Sequence, residues 1–363
     1  MLDIKELNQI NWDFTEAKTN GVLHAIHPYP AKFIPQIPNV LIKHFTLRGE
    51  TVYDPFLGSG TTCLEANVLG RNALGNDINE LSVLLTKVKT TPIELSMLCL
   101  LDRFLINIYQ RIADGSSNIE IPQIPNLELW FKDFVIRELV IIKDEILKLE
   151  DKNLRNFCLA TMSAIIVNVS RQDSDTRYVR VDKDIKEQDV FLRFSKQLNR
   201  MRKIMAEHYQ ELTRGKTVVK CADTRMENIF EENSADLAVT SPPYPNAYDY
   251  HLYHKYRLYW LDMSPQDLKR NEIGSHAHYS KKNGLNEFDF QRDMQKCFES
   301  VSKILKPNKY FVLVIGDSIL QGRKIQNNEV LRESAKNTAF KFVAEFTRNM
   351  NEKKNTSTPK LAT

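Results

Sequence analysis

The run Thr240-Ser241-Pro242-Pro243-Tyr244 sets a hydroxyl, two prolines and a phenol ring in succession. Proline fixes φ and lacks an N–H, so the pair presents rigid carbonyl acceptors. The run follows the short apolar segment SADLAV, which reads as a buried strand. Ser241 therefore emerges at the carboxyl end of a sheet, where open α/β folds bind ligands. Acceptors beside an aromatic plate suit a flat ring bearing an NH₂ group. Such a ring can stack on Tyr244 while its amine donates to the Pro242 carbonyl and the Ser241 side chain. An exocyclic amine is a poor nucleophile because its lone pair is delocalised into the ring. Two acceptors on its hydrogens favour a pyramidal nitrogen, whose lone pair can attack an electrophilic carbon in line. With a methyl sulfonium as the electrophile, this chemistry requires neither a metal nor a covalent enzyme intermediate.

A second cluster, Asp54-Pro55-Phe56-Leu57-Gly58-Ser59-Gly60-Thr61-Thr62, suits a cofactor. Gly58 and Gly60 allow positive φ and close backbone approach. Thr61 or Thr62 can cap the following helix, whose first N–H groups suit an anion. A lone GxG is a weak signal, since most such turns only turn. Here the turn follows a strand, opens a helix, and the next strand ends on Asp77, placed to accept from both hydroxyls of a ribose. Asp223, in CADTRM, ends a third strand and can accept from an adenine amino group. The phosphate-cradling GxxxxGK[ST] loop is absent.

Together these residues resemble the S-adenosylmethionine-dependent DNA amino-methyltransferases of restriction–modification type. TSPPY is similar to the catalytic [S/T/D/N]PP[Y/F/W] motif and DPFLGSGTT to the cofactor loop. HPYPAKF (27–33) resembles the segment covering the methionine end of the cofactor, and GNDIN and CADTRM fill the ribose and adenine slots. The resemblance spans roughly 20–90 and 216–346. It implies a class I, Rossmann-like fold, S-adenosyl-L-methionine without metal, and double-stranded DNA as substrate, with a cognate restriction endonuclease acting on the same site. The implied catalytic residues are Ser241, Pro242, Pro243 and Tyr244. The implied cofactor residues are His27, Pro28, Lys32, Phe33, Asp54, Pro55, Phe56, Gly58, Ser59, Gly60, Thr61, Thr62, Asp77, Ile78 and Asp223. Serine at the head of the motif is commoner in the family among cytosine-N4 enzymes, which makes cytosine N4 the expected target ahead of adenine N6 or an RNA base. A silent cofactor- or nucleic-acid-binding subunit is the non-enzymatic alternative, and two unbroken motifs speak against it. The cofactor loop preceding the catalytic motif departs from many relatives, which are circularly permuted.

The elements that must position these groups follow from periodicity. TVYDPF, NALGND, TVVKCAD, SADLAVT and KYFVLVIGDS read as strands, and AFKFVAEFTRN as a further one. Helices are expected at 36–46, over TTCLEANVLG up to Gly70, and over NELSVLLTKVK. The expected fold is therefore α/β, a Rossmann-like, doubly wound, mostly parallel sheet. Residues 1–91 carry the cofactor loop and 216–363 the catalytic motif. Between them, 92–215 read as a helical insertion with a linker at Pro122 and Pro125. YDYHLYHKYRLYWL reads as one aromatic helix, with Leu252, Leu258 and Trp260 in the core and Tyr248, Asp249 and Tyr250 lining the pocket. The C-terminal EKKNTSTPKLAT is polar and expected to be frayed or a weak edge strand.

The chain has 363 residues, 42% hydrophobic and 26% charged, and a formal charge of +4 too mild to indicate nucleic-acid binding by itself. Positive charge is concentrated between Arg171 and Lys220. The expected DNA contacts are Arg171, Arg177 and Arg180 in RQDSDTRYVRVDK, and His276, His278 and Lys281 in the polar segment 269–290. His276 and His278 lack the neighbouring ligands of a metal site. Five scattered cysteines form no disulfide or zinc pattern, and the N-terminus lacks a signal-peptide profile. A cytoplasmic protein with no membrane partner is expected.

Overall fold

The computed structural model describes residues 4–15, 22–115, 120–280, 284–320 and 322–349. The first third of the chain forms α1 (Gln36–Phe45), β1 (Thr51–Asp54), α2 (Thr61–Val68), β2 (Asn72–Asp77) and α3 (Glu80–Thr90). Next come α4 (Leu95–Ala113), α5 (Leu127–Trp130), α6 (Asp133–Leu147) and α7 (Lys152–Val169). A hairpin of β3 (Gln172–Ser174) and β4 (Arg177–Arg180) separates these from α8 (Asp189–Glu207) and α9 (Tyr209–Leu212). The chain then returns to the sheet with β5 (Thr217–Cys221) and β6 (Ala235–Thr240). Four short helices follow: α10 (Tyr250–Tyr253), α11 (Lys255–Trp260), α12 (Pro265–Asn271) and α13 (His276–Tyr279). The described part closes with α14 (Glu287–Ile304), β7 (Leu305–Leu313), the hairpin β8 (Ser318–Leu320) and β9 (Arg323–Ile325), and α15 (Asn327–Ala335).

Five strands pair in the order β5-β2-β1-β6-β7, all parallel. This is the doubly wound α/β architecture expected from the sequence. Every residue of β6 is buried, because helices cover both faces of a central parallel strand. On one face Leu237 and Val239 pack with Ile37, Leu41, Cys63 and Ala66 of α1 and α2. On the other, Ala235 and Ala238 meet Phe230, Val301 and Ile304. The chain walks outward from β1 through β2 to β5, then returns to lay β6 on the opposite flank of β1. That reversal leaves a crevice at the carboxyl ends of β1 and β6, where Asp54 and Ser241 emerge.

The helices between β2 and β5, α3 among them, build one apolar core together with α11. Leu101 and Phe104 of α4, Leu139 and Ile142 of α6, Phe157 and Ile166 of α7, and Phe194 and Met201 of α8 pack with Leu85, Val88, Tyr256 and Trp260. Each such side chain contributes about 1.5–3 kcal/mol by leaving water. A buried cation crosses this seam. Arg257, 1% exposed, donates through Nε to the Ser163 carbonyl (3.0 Å) and pairs through Nη2 with Asp175 of the β3–β4 turn. Sequence reasoning placed a positive charge here on an aromatic helix without foreseeing its burial.

Four expectations need correction. Residues 339–349 form no strand. Phe340 packs on Phe298 and Phe311, and Glu345 binds Asn328 and Arg332 of α15, so side chains rather than ladder bonds hold the segment. The aromatic stretch after the proline pair is two short helices broken at His254, and Leu252 is only half-buried, whereas Leu258 and Trp260 are buried. Third, the expected helical region contains the β3–β4 hairpin. Fourth, β7 begins at Leu305, ahead of KYFVLVIGDS. The end of the chain from residue 350, with all of EKKNTSTPKLAT, lies outside the described residues. No described helix is long and apolar enough to cross a membrane.

Arg257→Leu leaves Asp175 without its side-chain donor and takes the added donor from the Ser163 carbonyl. It is expected to cost about 3 kcal/mol, the lower end for breaking a buried pair, since Asp175 is partly exposed. Chemical unfolding of the two proteins measures the difference, and an equal midpoint would contradict the role given to Arg257.

Candidate active site

At the crevice, the Thr240 hydroxyl donates to Asp54 Oδ1 at 2.6 Å. This bond joins the strand that carries the proline motif to the strand that carries the glycine turn. Beyond it Pro242 is buried, while Ser241, Pro243 and Tyr244 are half-buried. The Tyr244 ring lies against Gly316 just after β7, where a Cβ would sit 3.7 Å from its edge, and burial raises the pKa of its phenol.

The backbone of the motif is held by the segment after α12. Gly274 has φ +78° and lies so near the Tyr244 carbonyl that a Cβ would sit 2.4 Å from its oxygen, so only glycine fits. Asp249 accepts from the Ser275 hydroxyl (2.6 Å) and the Ala277 N–H (2.9 Å). Glu272, buried, accepts from the Tyr250 N–H and from His251 Nδ1, both at 2.8 Å. Tyr248 and Tyr250 pack ring to ring beside the motif (5.7 Å). Gly274, Glu272 and Ser275 were not singled out from the sequence; the glycine in the polar segment 269–290 was the available signal.

The glycine turn is equally constrained. Gly58 donates its N–H to Asp77 Oδ2 (2.9 Å), and the Asn79 N–H reaches Asp77 Oδ1 (2.8 Å). Asp54 accepts from the Phe56 N–H at 3.1 Å. Burial pushes the Asp54 carboxyl up to about 7 and Asp77 up to about 6, against the hydrogen bonds that each accepts. Gly60, at φ +77°, opens α2 without any side-chain cap, and a Cβ there would meet Thr86 Oγ1 at 2.4 Å. Ser59 and Thr61 share a hydroxyl contact of 3.0 Å, and Thr62 is buried. Asn76, fully buried, clasps three strand ends. It accepts from the Tyr53 hydroxyl (2.6 Å) and donates to the Ala222 carbonyl (3.1 Å) and to Thr224 Oγ1 (2.9 Å), whose hydroxyl reaches the Pro55 carbonyl.

Other expected cofactor residues are placed differently from one another. Pro55 and Phe56 lie in the turn, and Ile78 is half-buried against the helical core. Asp223 is engaged by Arg225 through both carboxylate oxygens (2.6–3.1 Å), and Arg225 also reaches Asp293. His27 is fully buried. Its Nδ1 donates to the Pro28 carbonyl and its Nε2 meets Ser163 Oγ of α7 (2.9 Å), while burial holds its pKa well below the ordinary value. Lys32 donates to the carbonyls of His24 (3.1 Å) and His27 (2.9 Å), and Phe33 packs beneath α1. The residue of this segment nearest the glycine turn is Tyr29, which sequence reasoning did not single out. Its hydroxyl bonds Ser82 Oγ (3.0 Å), and its ring stacks on Tyr250 at 5.8 Å.

Among the expected DNA contacts, Arg171 is committed to structure. It donates to the carbonyls of Glu128 and Leu129 and pairs with Asp182. Arg177 and Arg180 are exposed on β4, Arg177 pairing with Asp173 at 3.5 Å. The hairpin is anchored by Tyr178, stacked on Trp130 at 4.6 Å. His276 is exposed and bonds Asn246 Oδ1, and His278 is half-buried. Lys281 lies outside the described residues. Among the described residues no group of three or more His, Cys, Asp or Glu is arranged to hold a metal.

Residues 5–87 match the family model described as DNA methylase, of the N6/N4 type. The chain is 25% identical over 419 aligned positions to the type II methyltransferase M.MvaI of Kocuria varians, covering 98% of this chain and 92% of that protein. It is 25% identical to M.BsoBI of Geobacillus stearothermophilus over 70% of this chain and 55% of the relative. A shorter match, 32% identical over 31% of this chain and 21% of the relative, is to M.MjaII of Methanocaldococcus jannaschii. The family-model match and the type II methyltransferase relatives support a DNA amino-methyltransferase family for this chain, a family that implies S-adenosylmethionine as methyl donor.

The raised pKa of Asp54 has a measurable sign. Folded, it holds its proton to about pH 7, whereas unfolded it loses it near 3.8, so stability is lost as pH rises through that window. Asp54→Asn is free of this loss. Its melting temperature relative to wild type is expected to rise from pH 4 to 7 and then level off; a pH-independent difference would refute the assignment.

Proposed function

We propose that this DNA amino-methyltransferase methylates the exocyclic N4 amine of a cytosine flipped out of double-stranded DNA, within a short sequence that a partner restriction endonuclease also cuts. The hydrogen bond from Thr240 to Asp54 carries the reading, since it brings the amine-holding motif edge to edge with the cofactor turn. The residues present fit S-adenosylmethionine. Asp77 offers carboxylate oxygens where ribose hydroxyls would lie, and the uncapped start of α2 offers N–H groups to a carboxylate. When bound, this cofactor supplies an electrophilic methyl group on a sulfonium.

The chain's own residues do the rest. Ser241 Oγ and the Pro242 carbonyl take the two amine hydrogens, which localises the nitrogen lone pair toward the crevice. Tyr244 stacks on the extruded base, contributing roughly 1–3 kcal/mol toward the cost of flipping. Tyr29 and Tyr250 narrow the approach and limit water at the reacting nitrogen. Serine at the head of the motif agrees with its frequency among cytosine-N4 enzymes. The helical region between β2 and β5 contributes DNA recognition through the exposed β4 arginines, with the segment around His276 and His278 facing the same duplex.

Ser241→Ala is expected to slow turnover on the order of 100-fold, the scale for removing one preorganised hydrogen-bonding group. Tyr244→Ala should lower kcat/KM through lost stacking. Nucleoside mass spectrometry of DNA and RNA from expressing cells reads the product. N4-methylcytosine in DNA supports the proposal, N6-methyladenine or a modified RNA base replaces the target, and no modified base sinks it. Arg177→Ala and Arg180→Ala are expected to weaken DNA binding equally on all sequences and to reduce the salt dependence by about one charge each, read by titration at several ionic strengths.

A further inference from the structure

Lys89, on α3, is 1% exposed, and no carboxylate lies within ion-pair distance of it among the described residues. The acceptor that its ammonium has there is the Ser59 carbonyl, at 2.7 Å. The same peptide unit is fixed at its other end, because the Gly60 N–H donates to the Leu57 carbonyl at 2.7 Å. Its plane is therefore set by Lys89 on one side and Leu57 on the other. Gly60 follows at φ +77° and begins α2, which has no side-chain cap. The basic groups nearest Lys89 are Lys32, His24 and His27 of the N-terminal segment, of which Lys32 lowers the Lys89 pKa and Lys89 lowers those of both histidines. Burial and Lys32 push Lys89 down to about 7. A buried cation with a lone carbonyl partner is costly, and a bound anion in front of the turn offsets that cost.

We infer that Lys89 is a positioning residue for the amino-acid end of the cofactor. It holds the Ser59 carbonyl inward, so that the first N–H groups of α2 face the crevice, and it places a positive charge behind them for a carboxylate. This inference rests on S-adenosylmethionine as the cofactor, and it adds a residue outside the glycine turn to the machinery that binds it.

The test compares two probes by calorimetry on each protein: S-adenosylhomocysteine, which carries the amino-acid end, and 5′-methylthioadenosine, which lacks it. The affinity ratio is internal to one preparation, so partial unfolding does not distort it. Lys89→Met is expected to weaken S-adenosylhomocysteine about tenfold or more, the scale of a lost interaction with a charged group, and methylthioadenosine less than about twofold. Lys89→Arg should restore most of the ratio. Equal weakening of both probes, or an unchanged ratio in Lys89→Met, overturns the inference. If Lys89→Met does not fold, Lys89→Gln is read the same way. Absence of S-adenosylhomocysteine binding to the wild type would instead defeat the cofactor assignment itself.

Discussion

The 2.6 Å bond between the Thr240 hydroxyl and Asp54 is the constraint on which the site's geometry depends. For the proposed methyl transfer two groups must meet, and the motifs proposed to carry them lie far apart in the chain. Parallel pairing of β1 with β6 brings the strands side by side, as at Tyr53 opposite Ala238. The bond then registers their carboxyl ends. Because Asp54 also accepts from the Phe56 N–H, the same carboxylate shapes the start of the glycine turn. Displacing it would move the glycine turn and the proline motif together.

Around that point the protein uses buried polar groups where an apolar core could not specify direction. Asn76 ties the ends of β1, β2 and the segment after β5. Glu272 and Asp249 tie the chain after the motif to the segment that carries Gly274. Arg257 ties α11 to α7 and to the β3–β4 turn. Each network is well supplied with partners, the condition under which buried polar groups rigidify rather than destabilise. Ser163 joins two of them, since its hydroxyl meets His27 and its carbonyl meets Arg257.

The sheet was legible because its strands are short β-branched runs punctuated by glycine or proline, and their order follows from where the chain must cross. The glycine turn was legible because positive φ demands glycine at Gly58 and Gly60. What stayed hidden depends on distant partners. Nothing local in RQDSDTRYVR announces a hairpin; it is held by Tyr178 on Trp130. Arg257 looks like a surface charge until Asp175 and Ser163 are brought to it. AFKFVAEF alternates like a strand, yet its side chains find α14 and α15 before its backbone finds a partner. Tyr29 sits in a motif whose flanking residues drew the functional reading, while the tyrosine ring lies against Gly58 of the turn.

The Asn76–Thr224 contact joins residues 148 positions apart, with the helical region looped out between them. The entropy of closing such an excursion grows only with the logarithm of its length, about 0.6 kcal/mol per doubling. Once the loop is closed by the β2–β5 ladder and Asn76, added length in the region costs little more. Its size and outer surface are thus nearly neutral variables over evolutionary time, provided that a face complementary to α3 and α11 is kept. A lineage could in this way reshape the outer surface of this region while the crevice stays where it is.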